Sequence, residues 1–180
     1  MADCIVDLSF CREYEWRKDE HMFLGMDKHA LVKFKTQLIK SLELTNVDIN
    51  DDQIEVIDNG CPHKTSALPK GKMAVYAFFY NEECLKIGKA GPNSNARYNS
   101  QHYYPESSKS NLAKSIISDK YFEKKGISID KIGIWIKENT QRVNIIMDKE
   151  IGILTLGFVE SFSILYFNPK YEGFENQRKK

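Results

Sequence analysis

The chain is poor in several things, and each shortage narrows the reading. It has four cysteines in 180 residues, Cys4, Cys11, Cys61 and Cys84, and no CxxC pair. Cys4, Cys11, His21 and His29 invite comparison with a zinc site, but their gaps match no common ligand spacing. Free thiols in a reducing compartment are the simpler reading. Neither sign of charge dominates: 26 Lys and Arg against 25 Asp and Glu give a formal net charge of +1. Composition alone therefore does not point to a polyanionic partner. Met1–Phe10 carries two Asp and no basic run, unlike a signal peptide. The longest weakly charged stretch, Ile151–Phe167, holds Glu160, Gly152 and Gly157 and falls short of the roughly 20 apolar residues of a spanning helix. A soluble, cytoplasmic protein is expected. No repeat or low-complexity tract stands out. Asp48, Asn50 and Asp52 begin like a calcium loop, but Gln53 stands where Gly is needed and Asn59 where Glu is needed.

What is present is enough for a packed core, with 42% hydrophobic and 12% aromatic residues. Lys28–Leu44 reads as an amphipathic helix with Leu31, Phe34, Leu38 and Leu42 on one side. An acidic stretch, Glu43–Asp58, follows and includes a short strand at Gln53–Ile57. Asn59-Gly60, Pro62 and Pro69 then break the chain. These breaks suggest an N-terminal extension over residues 1–66 and a second unit over 67–180. Charge reverses there: residues 70–125 hold ten basic groups against five acidic ones, a modest footprint for a polyanion that Lys-rich solvated helices would also explain.

Met73–Tyr80 and Cys84–Gly88 read as a hairpin about Asn81–Glu83. Helices are expected over Ala96–Tyr103 and Ser110–Glu123, a third strand over Ile129–Lys137, a short helix over Asn139–Lys149 and a final helix within Ile153–Phe167. The fold class is thus α+β, a small, mainly antiparallel three-stranded sheet flanked by helices, with a helical N-terminal extension.

Glu160 is the only charged residue between Ile151 and Phe167. A carboxylate on so apolar a helix must find a cation, a metal ion or a basic side chain, or protonate. In the hairpin, Tyr76 opposite Gly88 and Phe78 opposite Lys86 would put Tyr76 and Lys86 on one face as diagonal neighbours. A turn shifted by one residue would bring Lys89 to Tyr76 instead. Either ammonium would favour an ionised phenol able to accept a proton. Arg97, on the next helix, has a planar fork suited to phosphate oxygens. His102, Tyr103 and Tyr104 are candidates to contact nucleic acid, with loop packing the plainer alternative.

The order and spacing of these residues resemble the GIY-YIG nuclease superfamily over roughly residues 71–173. The first motif reads Ala74-Val75-Tyr76 and the second Lys86-Ile87-Gly88-Lys89-Ala90. Arg97 follows eleven residues after Lys86, Glu160 is the late helical carboxylate, and Asn168-Pro169-Lys170-Tyr171-Glu172-Gly173 looks like the closing segment. Ala74 replaces the family's first Gly. Lys86 replaces the Tyr of the second motif, as in some restriction-enzyme-like and phage-associated members. The family's late Asn falls near Glu172, with Asn168 and Asn176 close by.

The resemblance implies metal-dependent hydrolysis of DNA phosphodiesters with one Mg²⁺ or Mn²⁺ held by Glu160. Tyr76 would act as base or orient water, Lys86 and Lys89 would assist it, and Arg97 would stabilise charge on the phosphoryl oxygens. A restriction role would favour a homodimer on a palindromic site. Two other classes remain open, a non-catalytic nucleic-acid-binding module of the same fold and an interaction protein using the acidic 43–58 surface.

Overall fold

The computed structural model describes residues 25–47, 49–108 and 111–171. Cys4, Cys11, His21, Glu172 and Asn176 lie outside them. Among the described residues the architecture is α+β: one antiparallel four-stranded sheet with helices on both faces. The first helix, α1 (Lys28–Glu43), starts where Asp27 accepts a hydrogen bond from the Ala30 amide at 2.7 Å, satisfying one of the free donors of a helix start. Its buried residues are Leu31, Phe34, Leu38 and Leu42, as their spacing predicts.

The strands are β1 (Ile54–Asp58), β2 (Lys72–Tyr80), β3 (Glu83–Ala90) and β4 (Gln141–Asp148), in the order β1-β4-β2-β3. The sheet therefore has four strands where three are expected. The strand read as part of the N-terminal extension is an edge of this same sheet. Side chains alternate across it. Met73, Val75, Ala77 and Phe79 of β2 face one core with Val143, Ile145 and Met147 of β4, the α1 stripe and the helix Ile153–Phe167. Ala74, Tyr76 and Phe78 face a second core under the segment between residues 98 and 136.

Two sequence expectations are reversed. Asn139–Lys149 is largely strand rather than helix, because β4 is central and buried along nearly its whole length. A strand covered on both faces loses the polar alternation that announces it. Ile129–Lys137 is not a strand: its ordered part is the helix α5 (Ile132–Asn139). Ile132, Ile134 and Ile136 alternate, but Ile132 and Ile136 are also four apart, one helix face. Those two are buried, whereas Ile134 is 57% exposed. The expected helix over Ala96–Tyr103 shortens to α2 (Asn95–Asn99) plus a single 3-10 turn at Gln101–Tyr103. That over Ser110–Glu123 divides into α3 (Leu112–Ile117) and α4 (Lys120–Glu123), with Asp119 capping the second. The last helix, α6 (Ile153–Phe167), ends at Asn168 in the left-handed conformation, φ 47°. Among the described residues no helix is long and apolar enough to cross a membrane.

Candidate active site

The hairpin fixes the centre of the site. Its turn has two central residues, Asn81 and Glu82, both with positive φ, the geometry that matches the twist of paired strands. Tyr80 therefore faces Glu83, not Cys84, and a bulge between Phe78 and Phe79 restores the expected register, Phe78 opposite Lys86 and Tyr76 opposite Gly88. The shifted pairing of Tyr76 with Lys89 does not occur: Lys89 stands opposite Val75, on the other face.

Gly88 has a specific duty here. A Cβ at this position would lie 2.8 Å from the Tyr76 hydroxyl oxygen and 2.8 Å from a ring carbon. The phenol lies across Gly88, towards the outer edge of the sheet, and any larger residue would displace it. Tyr76 itself is fully buried.

One donor and one nearby cation bear on the Tyr76 oxygen. The donor is His102, at the 3-10 turn, whose Nε2 is 2.7 Å away. Its other ring nitrogen, Nδ1, faces the backbone amide of Leu112 at 3.3 Å. An amide N–H can only donate, so Nδ1 is the acceptor and the single proton of the neutral imidazole sits on Nε2. His102 thus donates to Tyr76 while it caps the first turn of α3. Burial, then the positive charges of Lys86, Arg142 and Arg97, push the His102 pKa down to about 3, which locks this neutral form. Arg97, on α2, adds a guanidinium whose positive charge acts on the same oxygen. Burial pushes the Tyr76 pKa up to about 12; Arg97 and Arg142 oppose the rise and Glu160 adds to it. The His102 donor and the two guanidinium charges favour negative charge on this oxygen, but burial outweighs them and the resting phenol keeps its proton.

Glu160 comes from α6 and is mostly buried. Its Oε2 is 2.6 Å from Lys89 Nζ, so a lysine supplies the cation that this carboxylate requires. The pair belongs to the α6 face, yet Glu160 is close enough to influence Tyr76. Lys86 shares the Tyr76 face, is 4% exposed, and donates to the Tyr171 carbonyl at 3.3 Å. Its charge bears on His102. The Tyr171 backbone runs along β3, with the Lys170 and Tyr171 amides bonded to the Cys84 and Leu85 carbonyls at 2.8 and 2.9 Å. The Tyr171 hydroxyl donates to Asp119 at 2.7 Å. Asn168 serves as the cap of α6.

The fold thus joins Glu160 to Lys89 and brings Tyr76 within the electrostatic range of both Arg97 and Glu160. His102 and Tyr103 are buried, so neither stacks on nucleic acid, whereas Tyr104 is 59% exposed. Arg142, in a segment expected to be helical, escaped notice in the sequence; a lone Arg in an otherwise buried strand was the available signal. Among the described residues no three His, Cys, Asp or Glu side chains gather as a metal cage. One carboxylate oxygen donor fits a hard, hydrated ion such as Mg²⁺, which keeps several waters and takes further oxygens from a phosphate. Compared with known proteins, the chain matches no family model, no curated protein and no solved structure.

Proposed function

We propose that the chain is a metal-dependent endonuclease that hydrolyses DNA phosphodiester bonds, in the manner of the GIY-YIG nucleases its motifs resemble. The observation that carries this reading is the Tyr76 hydroxyl, laid across Gly88 and met by His102 and Arg97, with the Glu160 carboxylate in range. In-line attack forms a bond from water oxygen to phosphorus and breaks the phosphorus–oxygen bond to the leaving group. In this scheme Tyr76 orients the attacking water, or, once ionised with its own proton lost to solvent, accepts the water proton as a phenolate that the His102 donor and the Arg97 charge stabilise. Arg97, the exposed member, also meets charge developing on the phosphoryl oxygens. Burial, helped by the charge of Lys86, keeps His102 in its neutral, donating form. Glu160 would hold one Mg²⁺ or Mn²⁺, whose contribution when bound is Lewis-acid stabilisation of the phosphate and leaving oxygen. Lys89 must then release Glu160 or share it.

Cleavage of plasmid and linear DNA in Mg²⁺, Mn²⁺ or EDTA tests the proposal, with Glu160→Ala and Tyr76→Phe in parallel. Metal-dependent cutting abolished by Glu160→Ala and lowered at least about 100-fold by Tyr76→Phe is expected. Discrete bands would fit a restriction or phage-defence enzyme acting as a homodimer. Wild-type rates in the Glu160 variant would sink it. The Lys89–Glu160 ion pair favours a second reading, a catalytically inactive nucleic-acid-binding module, because it already satisfies the carboxylate. DNA retention in a gel shift without cutting under any metal would select that reading.

A further inference from the structure

Arg142, on central strand β4, is the largest of the fully buried side chains among the described residues. Its Nε donates to Asn144 Oδ1 at 3.0 Å, Nη1 to the Tyr103 hydroxyl at 3.0 Å, and Nη2 to the Tyr98 carbonyl at 2.7 Å. None of these acceptors carries a charge. Among the described residues no carboxylate forms an ion pair with it.

Burial raises the Tyr103 pKa and keeps the phenol neutral, although Arg142 opposes the rise. His63 Nδ1 faces the Thr140 carbonyl at 2.7 Å and must donate to it, which makes Nε2 the acceptor of the Tyr103 hydroxyl proton at 2.9 Å. Tyr103 then offers only a lone pair to Arg142. The guanidinium is thus buried against neutral acceptors alone, an environment that favours negative charge developing nearby. Its carbon lies 5.4 Å from the Tyr76 ring centroid, 5.5 Å from that of Phe78 and 4.6 Å from that of Tyr98. Of these three rings, Tyr76 is the one whose hydroxyl belongs to the site.

We infer that Arg142 is a positioning residue for Tyr76: its buried, unneutralised charge stabilises negative charge on the Tyr76 oxygen. The inference rests on the reading of Tyr76 as the proton acceptor. Several groups bear on that oxygen, namely Arg97 from α2, His102 from the 3-10 turn, Arg142 from β4, Glu160 from α6, and Lys86 from β3 through His102. Arg97 is exposed and its field is weakened by water and salt, whereas the field of Arg142 is not.

The test replaces Tyr76 with 3,5-difluorotyrosine, whose lower intrinsic pKa brings the titration into the range of the folded protein. It follows ionisation by ¹⁹F NMR in EDTA and again in Mg²⁺, so that any field from a bound ion is separated from that of Arg142. Arg142→Gln and Arg142→Met, both uncharged, are expected to raise the midpoint by about one to two pH units at low and high salt alike. Arg142→Lys, which keeps the charge, restores at least half of that shift. Tyr103→Phe, which leaves the charge in place, should move it little. Asn144→Asp sets a carboxylate against Nε in an isosteric change and is expected to raise the midpoint too. An unchanged midpoint in folded Arg142→Gln overturns the inference, and an unchanged midpoint in Asn144→Asp does so even if the neutral variants fail to fold. The titration needs no cleavage, so a shifted midpoint in a protein that cuts nothing would sink the nuclease reading and leave this one standing. Where cleavage is measurable, Arg142→Gln should lower kcat about tenfold or more with DNA affinity unchanged, since a buried residue cannot touch the substrate.

Discussion

The two sides of the site are built on different principles. Around Tyr76 the hydrogen bonds each have one direction: the Leu112 amide to His102, His102 to Tyr76, Tyr103 to His63, and Arg142 to Tyr103. Those donors and acceptors are buried, with no side-chain polar atom left unsatisfied among the described residues. On the α6 side, a single ion pair joins Lys89, 41% exposed, to Glu160 at 19%. The first arrangement holds an oxygen in a fixed electrostatic setting, as preorganised sites do. The second is a contact between long side chains reached by water, able to exchange one cation for another at small cost. Under the proposed nuclease reading, a rigid acceptor beside an ion pair that can exchange its cation suits a reaction whose metal arrives with the substrate.

The comparison breaks most severely at Gly88. Gly88→Ala would place a methyl group 2.8 Å from the Tyr76 oxygen, under a ring that is fully buried and cannot swing clear. A loss of about 1–3 kcal/mol in stability is expected. The hydroxyl should also leave His102, lowering any cleavage at least about 100-fold. Urea denaturation with a parallel cleavage assay checks both. A variant as stable and active as wild type would show that the ring has room and that its placement over Gly88 is incidental.

Acid should expose the same rigidity. Burial, the main cause, holds His63 at about 4 and His102 at about 3 against an ordinary value of 6.5. A histidine with a depressed folded pKa stays neutral in the native state while the unfolded chain takes up a proton. Stability is therefore fully present above pH 6.5 and falls as pH drops from 6.5 towards 4 and 3. At pH 5 the loss is about 2 kcal/mol for each histidine. Urea midpoints between pH 7.5 and 4.5 measure it, and His102→Gln should flatten the slope by roughly one proton. An unchanged slope in that variant would mean that His102 is reached by water.

Much of this was legible in the chain, but unevenly. Two registers of the hairpin fit the sequence, and a two-residue turn with a bulge, which no local pattern announces, selects the one that sets Tyr76 opposite Gly88. The α1 stripe and the extent of α6 follow from the sequence, because each has a distinct pattern or distinct ends. β4 and α5 did not, for opposite reasons. β4 is covered on both faces and shows no polar alternation, while the isoleucines of α5 satisfy a strand period and a helix period at once. Missing β4 hid Arg142 and with it the charge beneath Tyr76. His102 was visible as a residue but not as a partner: its position depends on how the segment after α2 turns back over the sheet, and no local pattern records a contact between residues 26 positions apart.

The exchangeable side yields the smallest effect, and one with a sign that decides between the readings. Lys89→Met removes the ammonium from Glu160 Oε2 and leaves a side chain of similar length. As a partly exposed pair it should cost less than about 1 kcal/mol of stability. If Lys89 merely holds the carboxylate until a metal arrives, its loss strengthens metal binding, and the Mg²⁺ needed for half-maximal cleavage should fall about three- to tenfold with kcat little changed. If Lys89 takes part in the chemistry, kcat should fall instead while the Mg²⁺ requirement stays put. Titrating cleavage against Mg²⁺ in wild type and variant separates the two. A fall in kcat alone would remove Lys89 from the exchangeable side and place it beside Tyr76 in the working machinery, despite its position on the other face of the sheet.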